Sequence, residues 1–266
     1  MQGIGTQAKA AIDALIRKLG AIATLTGQEQ AAIRALPVFI AEIGPQHDIA
    51  REGERPELCV LVQSGWLCRH KATSDGKRQI LSLHLPGDIP DLQSLLLGQM
   101  DHSLSSIGPA TVAFIRHEHL HDLHRRHPGL ARIMWRETLI DAAAYREWLL
   151  GIGRRSAEEQ MAHLFCEIFV RLGAVGLAGP ASCDMPLSQA DLADALGLSI
   201  VHVNRTLQAL RGRGLIGLSR GTLTIRDWTG LRALSGFDPA YLHLRDDDGP
   251  ADAAPTRRAF ADSPAG

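Results

Sequence analysis

The sequence predicts an α+β protein. A small antiparallel β-roll precedes a long helix, and two short helices joined by a tight turn, with a β-hairpin behind them, follow. Three observations carry that expectation. Short runs rich in Val, Ile, Leu and Phe, punctuated by glycine, fill residues 38–115. A helical pattern with one apolar stripe follows over 130–150. Residues 188–225 then hold two serine-capped helical patterns with a glycine between them, and two β runs around Ser219-Arg220-Gly221.

With 266 residues and 45% hydrophobic content, the chain is long enough for two modest domains with proper cores. No window reaches the ~18 apolar residues of a membrane span, and no basic stretch leads into an apolar run at the start, so no membrane partner and a cytoplasmic location are expected. Cys59, Cys68, Cys166 and Cys183 are scattered, with no C-x-x-C pair, and read as buried or idle thiols. Cys59 and Cys68 lie on neighbouring strand segments, where adjacency would make them a redox pair. The net charge of -1 argues against a chain that coats nucleic acid along its whole surface.

In chain order, Ile12, Leu15, Ile16 and Leu19, then Ile33 and Leu36, give a helical lead-in, with Thr26 as an N-cap before Gly27-Gln28-Glu29. Across the β runs, Gly53, Gly65, Gly87 and Gly108 mark corners, and Asp75-Gly76 suits a tight hairpin turn. Regularly spaced short strands of this kind suggest a roll or barrel. Residues 117–150 read as helical with a break at His127-Pro128-Gly129. Beyond it Trp135, Leu139, Ala142, Tyr145 and Leu149 recur at three- and four-residue steps as one stripe. With no second such helix in sequence to pair with, the stripe is expected to meet its own domain or, preferably, a second copy of the chain. Gly151 and Gly153 are expected to interrupt the helix as a hinge, and Ser156 to restart one through a capping box with Glu159. Residues 173–186 read as a loop. The tail after Asp238 has too few apolar groups to fold and is expected to be disordered.

The segment from 188 onward carries the strongest signal. Ser188 caps a helix over 189–196 with Leu192 and Ala193 facing inward. Gly197 makes the turn, and Ser199 caps a second helix over 200–211 whose Val203, Leu207 and Leu210 share a face. Two helices joined this tightly make a helix-turn-helix. Ile200, Val201, His202, Asn204 and Arg205 then sit at or near the exposed N-terminal half of the second helix, the part that enters a major groove. Runs at 215–218 and 222–225 form a wing with Arg220 at its tip, where phosphates would lie. From 195 to 226 there is no acid, yet Arg205, Arg211, Arg213, Arg220 and Arg226 occur. A plain helical hairpin with a solvated arginine face is the bland alternative. The caps, turn, wing and acid-free stretch together are more specific than any one of them.

On these residues the chain resembles the Crp/Fnr family. The match includes Gly197-Leu198-Ser199 with Arg205, the preceding long helix, and Leu85-Pro86-Gly87-Asp88-Ile89, similar to that family's P-G-[ED]-[IL] turn, over roughly residues 35–234. The resemblance implies a cyclic-nucleotide-binding-like jelly roll, a dimerisation helix and a winged helix-turn-helix. It also implies a homodimer on a palindromic operator in double-stranded DNA, with RNA polymerase as a further partner. The expected organisation is a lead-in over 1–36, a β-roll sensor over 37–127, a dimerisation helix and hinge over 128–153, a DNA-binding domain over 154–236 and a disordered tail over 237–266. Position by position, Arg205 matches the arginine that reads guanine, while Ser188, Gln189 and Ser199 match backbone-positioning residues. Val201 stands where many members have a base-reading glutamate, and Ile200 at the first base-reading position, so the usual operators are not expected. Val201 can touch a thymine methyl but cannot accept from cytosine N4, and Asn204 can read adenine.

The sensor is less explicit. In this family the cyclic-nucleotide site needs an acid near the turn and an Arg-Ser pair further on, the arginine neutralising the phosphate. The corresponding positions here are Gly87, Asp88, Ile89, His102 and Ser103, and no arginine lies from Gln79 to Ile115. That site reads as degraded, cyclic AMP is not expected to be the activating ligand, and the cofactor is left unidentified. An iron-sulfur centre is not expected either, since the lead-in contains no cysteine. His117, His121 and His124 share a helical face at a spacing that suits zinc, nickel or haem. A solvated, partly cationic helix is the preferred reading, because no cysteine completes the set. Two other functions compete with this reading. One is a ligand-binding β-roll that regulates or interacts without binding DNA specifically. The other is a cupin-type enzyme, for which His47, His70, His84 and His102 lie at unsuitable spacings.

Overall fold

The computed structural model describes residues 2–245. Helix α1 (Gln2–Ile22) buries Ala11, Ile12, Leu15, Leu19 and Ile22 at helical spacing against the roll. Helix α2 (Gly27–Arg34) starts at Thr26, whose hydroxyl accepts from the Glu29 N–H while the Glu29 carboxylate accepts from the Thr26 N–H. The expected lead-in is therefore two capped helices, the first of which covers one side of the roll.

The roll consists of two antiparallel sheets. Strands β1 (Phe39–Ile43), β7 (Ala110–Arg116) and β3 (Leu58–Ser64) form one, in that order; β2 (Asp48–Ala50), β6 (Ser103–Ser106), β4 (Leu67–Ala72) and β5 (Arg78–His84) form the other. Val60, Val62, Leu67, Leu104 and Val112 fill the space between them. Gly65 turns β3 into β4 at φ 75°, and a Cβ there would lie 2.5 Å from the Pro109 carbonyl oxygen. The β4–β5 connection spans five residues, 73–77, because Ala72 pairs with Arg78, so Asp75-Gly76 is part of a longer loop than the tight turn expected. Cys59 and Cys68 fall in different sheets and are buried free thiols, which removes the redox-pair reading.

A short helix α3 (Ser94–Leu97) interrupts the roll, and α4 (His117–Arg126) leads out of it. Helix α5 (Pro128–Arg154) then runs unbroken through Gly151 and Gly153. The hinge expected at those glycines is displaced to Arg155-Ser156: the helical ladder continues to the Arg155 N–H donating to the Gly151 carbonyl. Glycine in a helix costs only ~1 kcal/mol, which the flanking turns offset. Ser156 caps α6 (Ala157–Ala174) in a capping box with Glu159, as expected.

The last unit comprises β8 (Ser182–Asp184), α7 (Gln189–Leu196), α8 (Ile200–Gly212), β9 (Ile216–Ser219), β10 (Thr222–Ile225) and α9 (Trp228–Ser235). Strand β8 was missed within the expected loop at 173–186; it pairs with β10 and makes the wing three-stranded. The tail also differs from expectation over its first residues. Phe237 and Leu242 are buried, and a 3₁₀ turn, Pro239–Leu242, packs on α5. There the Tyr241 hydroxyl donates to Glu167 at 2.8 Å, and the Arg245 N–H to the Ala21 carbonyl at 2.9 Å. A few aromatic anchors order a segment whose average composition is polar. The disorder expected over 246–266 lies outside the described residues. No helix among the described residues is long and apolar enough to cross a membrane.

Candidate nucleic-acid interface

Two local devices fix the helix-turn-helix. The Ser188 hydroxyl accepts from the Asp191 N–H at 3.1 Å and the Ser188 N–H donates to the Asp191 carboxylate at 3.0 Å, closing a capping box with an aspartate in the usual Glu position. Gly197 ends α7 at φ 65°, in the left-handed region, and the Ser199 hydroxyl accepts from the His202 N–H at 3.2 Å to start α8. Leu192, Ala193, Val203, Leu207 and Leu210 are buried between the helices, as expected. That packing leaves Ile200, Val201, His202, Asn204 and Arg205 on the exposed side of α8, with Ile200 52% and Val201 71% exposed. Large β-branched side chains held in water at a helix N-terminus suit contact with thymine methyls. Ser188, Gln189 and Ser199 are exposed at the two helix starts.

The wing follows from its turn. Thr222 pairs with Ser219, so Arg220 and Gly221 are the two loop residues, at φ 49° and 74°. Two consecutive positive φ values are the signature of a type I′ hairpin. Arg220 thereby stands exposed at the tip.

The five arginines of the acid-free stretch divide into two groups. Arg211 donates to the Leu218 carbonyl at 2.6 Å and Arg213 to Glu158 at 3.0 Å, so both serve the fold. The side chains of Arg205, Arg220 and Arg226 are exposed and make no hydrogen bond or ion pair among the described residues. The sequence places the first two at the recognition helix and the wing tip, whereas Arg226 stands out there only in the run of positive charge and follows directly on the end of β10.

On α5, Trp135, Leu139, Tyr145 and Leu149 are 66%, 55%, 41% and 68% exposed, and Ala142 lies exposed among them. The opposite face buries Leu130, Met134, Ile140 and Ala143. Among the described residues nothing covers the stripe.

The roll positions are not brought together in one site. Gly87 takes φ 99° and receives the backbone of α1: a Cβ there would be 2.6 Å from the Ala14 carbonyl oxygen. Asp88 is buried, accepts from the Leu85 N–H at 2.9 Å and pairs with Lys18 and Arg171. Burial alone would raise its carboxyl, but Lys18 and Arg171 hold it below the usual range. Asp88 and Ile89 line a cavity with Lys18, Arg69, Glu137 and Asp141 from which His102 and Ser103 are absent. His102 instead bonds Asp101 at 2.7 Å, and Ser103 accepts from the Glu52 N–H at 3.1 Å. Burial, then Arg69, lowers the His102 pKa.

No arginine lies from Gln79 to Ile115, yet cations reach the turn from elsewhere in the chain. Arg69 on β4 donates to the Pro90 carbonyl at 2.6 Å and to Asp141 of α5, and Lys18 and Arg171 arrive from α1 and α6. Each of these cations already faces a carboxylate. His117, His121 and His124 do not converge: His117 bonds Ser94 at 3.0 Å and His124 faces the Met134 sulfur.

Residues 159–234 match a Crp-like helix-turn-helix domain, and residues 41–127 a cyclic nucleotide-binding domain. The chain is 30% identical over 201 residues to the nitrogen fixation regulation protein FixK of Rhizobium meliloti, covering 74% of this chain and 88% of that one. It is 26% identical over 233 residues to the transcriptional activator protein FnrL of Cereibacter sphaeroides, covering 85% and 92%. The solved structure of FixK2 from Bradyrhizobium japonicum superposes with a TM-score of 0.69 at 25% identity, covering 76% of this chain and all of that one.

Proposed function

The chain belongs to the Crp/Fnr family of transcription regulators, with a helix-turn-helix DNA-binding domain, and from that premise we propose that it binds a palindromic operator as a homodimer. The observation that carries this reading is the pairing of a free recognition surface with a free dimerisation surface. Ile200, Val201, His202, Asn204 and Arg205 face solvent on α8, and the α5 stripe through Trp135 and Leu149 faces solvent on the long helix. A second copy buries an apolar stripe of this length along a two-fold axis, and a two-fold dimer presents two recognition helices to two half-sites.

In this reading Arg205 is bidentate to a guanine, Val201 touches a thymine methyl, Asn204 reads adenine, and Arg220 and Arg226 contact phosphates. Ser188, Gln189 and Ser199 position the backbone through helix N-termini. The roll over 37–127 receives a signal other than cyclic AMP, because Lys18, Arg69 and Arg171 at the Asp88 turn are neutralised by carboxylates and offer a cyclic phosphate no unpaired cation. RNA polymerase is the expected downstream partner.

The test is a comparison of Arg205→Ala with Arg220→Ala on duplexes selected by the wild-type protein and on scrambled duplexes. Arg205→Ala is expected to cost ~1–3 kcal/mol on the selected duplex and to relax its sequence preference, whereas Arg220→Ala weakens all DNA alike. Equal losses on both kinds of duplex for both variants would overturn the assignment. Binding by the wild type that does not fall steeply with salt would overturn DNA recognition itself.

A further inference from the structure

Helix α1 lies outside both stretches that match known domains, yet it reaches a buried junction of the roll, the long helix and the DNA-binding half. The Lys18 ammonium is 2.9 Å from Asp88 of the roll and 2.9 Å from Glu137 of α5. Asp88 also accepts from Arg171 of α6 at 3.0 Å, and that guanidinium donates to the Leu83 carbonyl at 2.9 Å and to Glu167 at 3.2 Å. The four side chains Lys18, Asp88, Glu137 and Arg171 are each no more than 18% exposed. Gly87 lets this happen: its lack of a Cβ lets the α1 backbone seat on the turn that carries Asp88.

The geometry has a mechanical consequence. Helices α5 and α6 are joined covalently through Arg155-Ser156, and so short a joint does not by itself fix the angle between them. Near the joint the Trp148 indole N–H of α5 donates to Glu167 of α6 at 3.1 Å, and the ionic cluster adds a tie further along, with Glu137 on α5, Arg171 on α6, and Lys18-Asp88 between. We propose that Lys18 is a positioning residue for DNA recognition: by bridging Glu137 and Asp88 it holds the carboxylate that seats Arg171, and so sets the angle at which the winged helix leaves the long helix. In a dimer that angle acts twice, since the two recognition helices must meet half-sites about 34–36 Å apart. Without Lys18, Glu137 and Asp88 are left as neighbouring buried carboxylates with one cation fewer, and their repulsion moves Arg171. The proposal rests on the dimeric DNA-binding reading above.

The experiment uses the full chain, with a duplex that the wild type selects from a randomised library and a scrambled duplex as probes. Lys18→Met is expected to weaken binding to the selected duplex roughly tenfold while changing binding to the scrambled duplex less than about twofold, so that the specificity ratio falls. Lys18→Arg, which keeps the charge, restores most of the ratio. A merely structural role would lower both affinities together, in step with Tm. Equal losses on the two duplexes, or no loss in a folded dimer, overturn the proposal, and if Lys18→Met does not fold then Lys18→Gln is read by the same outcomes. Arg205→Ala is measured in parallel: an Arg205→Ala protein that binds the selected duplex as wild type does would mean that base recognition, and not positioning, has been misassigned.

Discussion

The winged helix and the junction that holds it are built from opposite kinds of contact. In the winged helix the determining bonds are local: Ser188 to Asp191, Ser199 to His202, and a two-residue turn at Arg220-Gly221. At the junction the partners lie far apart in sequence, with Arg69 and Asp141 separated by 72 positions, Asp88 and Arg171 by 83, and Arg78 and Asp191 by 113. Local bonds fix a motif whatever surrounds it. Long-range bonds make the orientation of that motif a property of the whole chain. A substitution in the first region is therefore expected to act where it is made, and one in the second to act at a distance.

The largest effect should come from the apolar surface that the described residues leave uncovered. Leu139→Glu combined with Ala142→Glu places two charges on the α5 stripe while touching none of its buried face. The expected product is a folded monomer that has lost one half-site and binds operator at least ~10²-fold more weakly. Its binding to scrambled DNA through one winged helix should persist, which separates loss of assembly from loss of fold. Sedimentation showing a dimer in the double variant would move the interface elsewhere and break the comparison.

A smaller effect is expected from a buried acid in the roll. Asp91 is 1% exposed; the Val60 N–H donates to one of its oxygens at 2.8 Å, and the other has no partner among the described residues. Burial, only partly offset by that bond, pushes its carboxyl up to about 7. A carboxyl raised in the fold contributes stability that is present below pH ~4 and lost as pH rises to 7, at ~1.4 kcal/mol per pKa unit. Buried His84, lowered to about 3 by burial and then Arg69, and His163, lowered to about 4 by burial and then Arg155, act the other way, losing stability as pH falls below ~6.5. Asp91→Asn should thus raise Tm more at pH 8 than at pH 5. Equal changes at the two pH values would show that Asp91 does not titrate in this window.

The same division explains how much was legible in the sequence. The capped helices, the left-handed glycine at 197 and the wing could be read because each signal and its partner lie within a few residues. The long helix and its apolar stripe were legible through periodicity, but its end was not: Gly151 and Gly153 resemble a break, and the helix continues through them. The third wing strand was hidden because Ser182–Asp184 gains strand character only by pairing with β10. The tail appeared polar on average, yet Phe237, Tyr241 and Leu242 anchor its first residues through contacts with distant helices. At the roll turn, Arg69, Lys18 and Arg171 lie outside Gln79–Ile115 in sequence, and only the sheet and two helices bring them in.

The two helix caps offer the finest test, because they look alike in sequence and differ in reach. The exposed Ser199 hydroxyl bonds the His202 N–H and has no other hydrogen bond among the described residues. The Ser188 hydroxyl bonds Asp191, which is 3% exposed and also accepts from Arg78 of β5 at 2.9 Å, while Asp194 accepts from the same guanidinium at 2.7 Å. Both Ser→Ala changes should cost ~1 kcal/mol as lost caps. Ser188→Ala, however, also frees the carboxylate that anchors α7 to the roll, so its cost should be the greater. Combined with Arg78→Ala, Ser188→Ala should be non-additive by at least ~0.5 kcal/mol, because both changes act on Asp191, whereas Ser199→Ala should add to Arg78→Ala within ~0.3–0.5 kcal/mol. Denaturant titrations of the three single and two double variants measure these terms. Additivity for both caps would mean that the Arg78 fork is energetically idle, and the winged helix would then be held to the roll mainly by the apolar core that joins Cys68, Ile80 and Leu83 to α6 and α7.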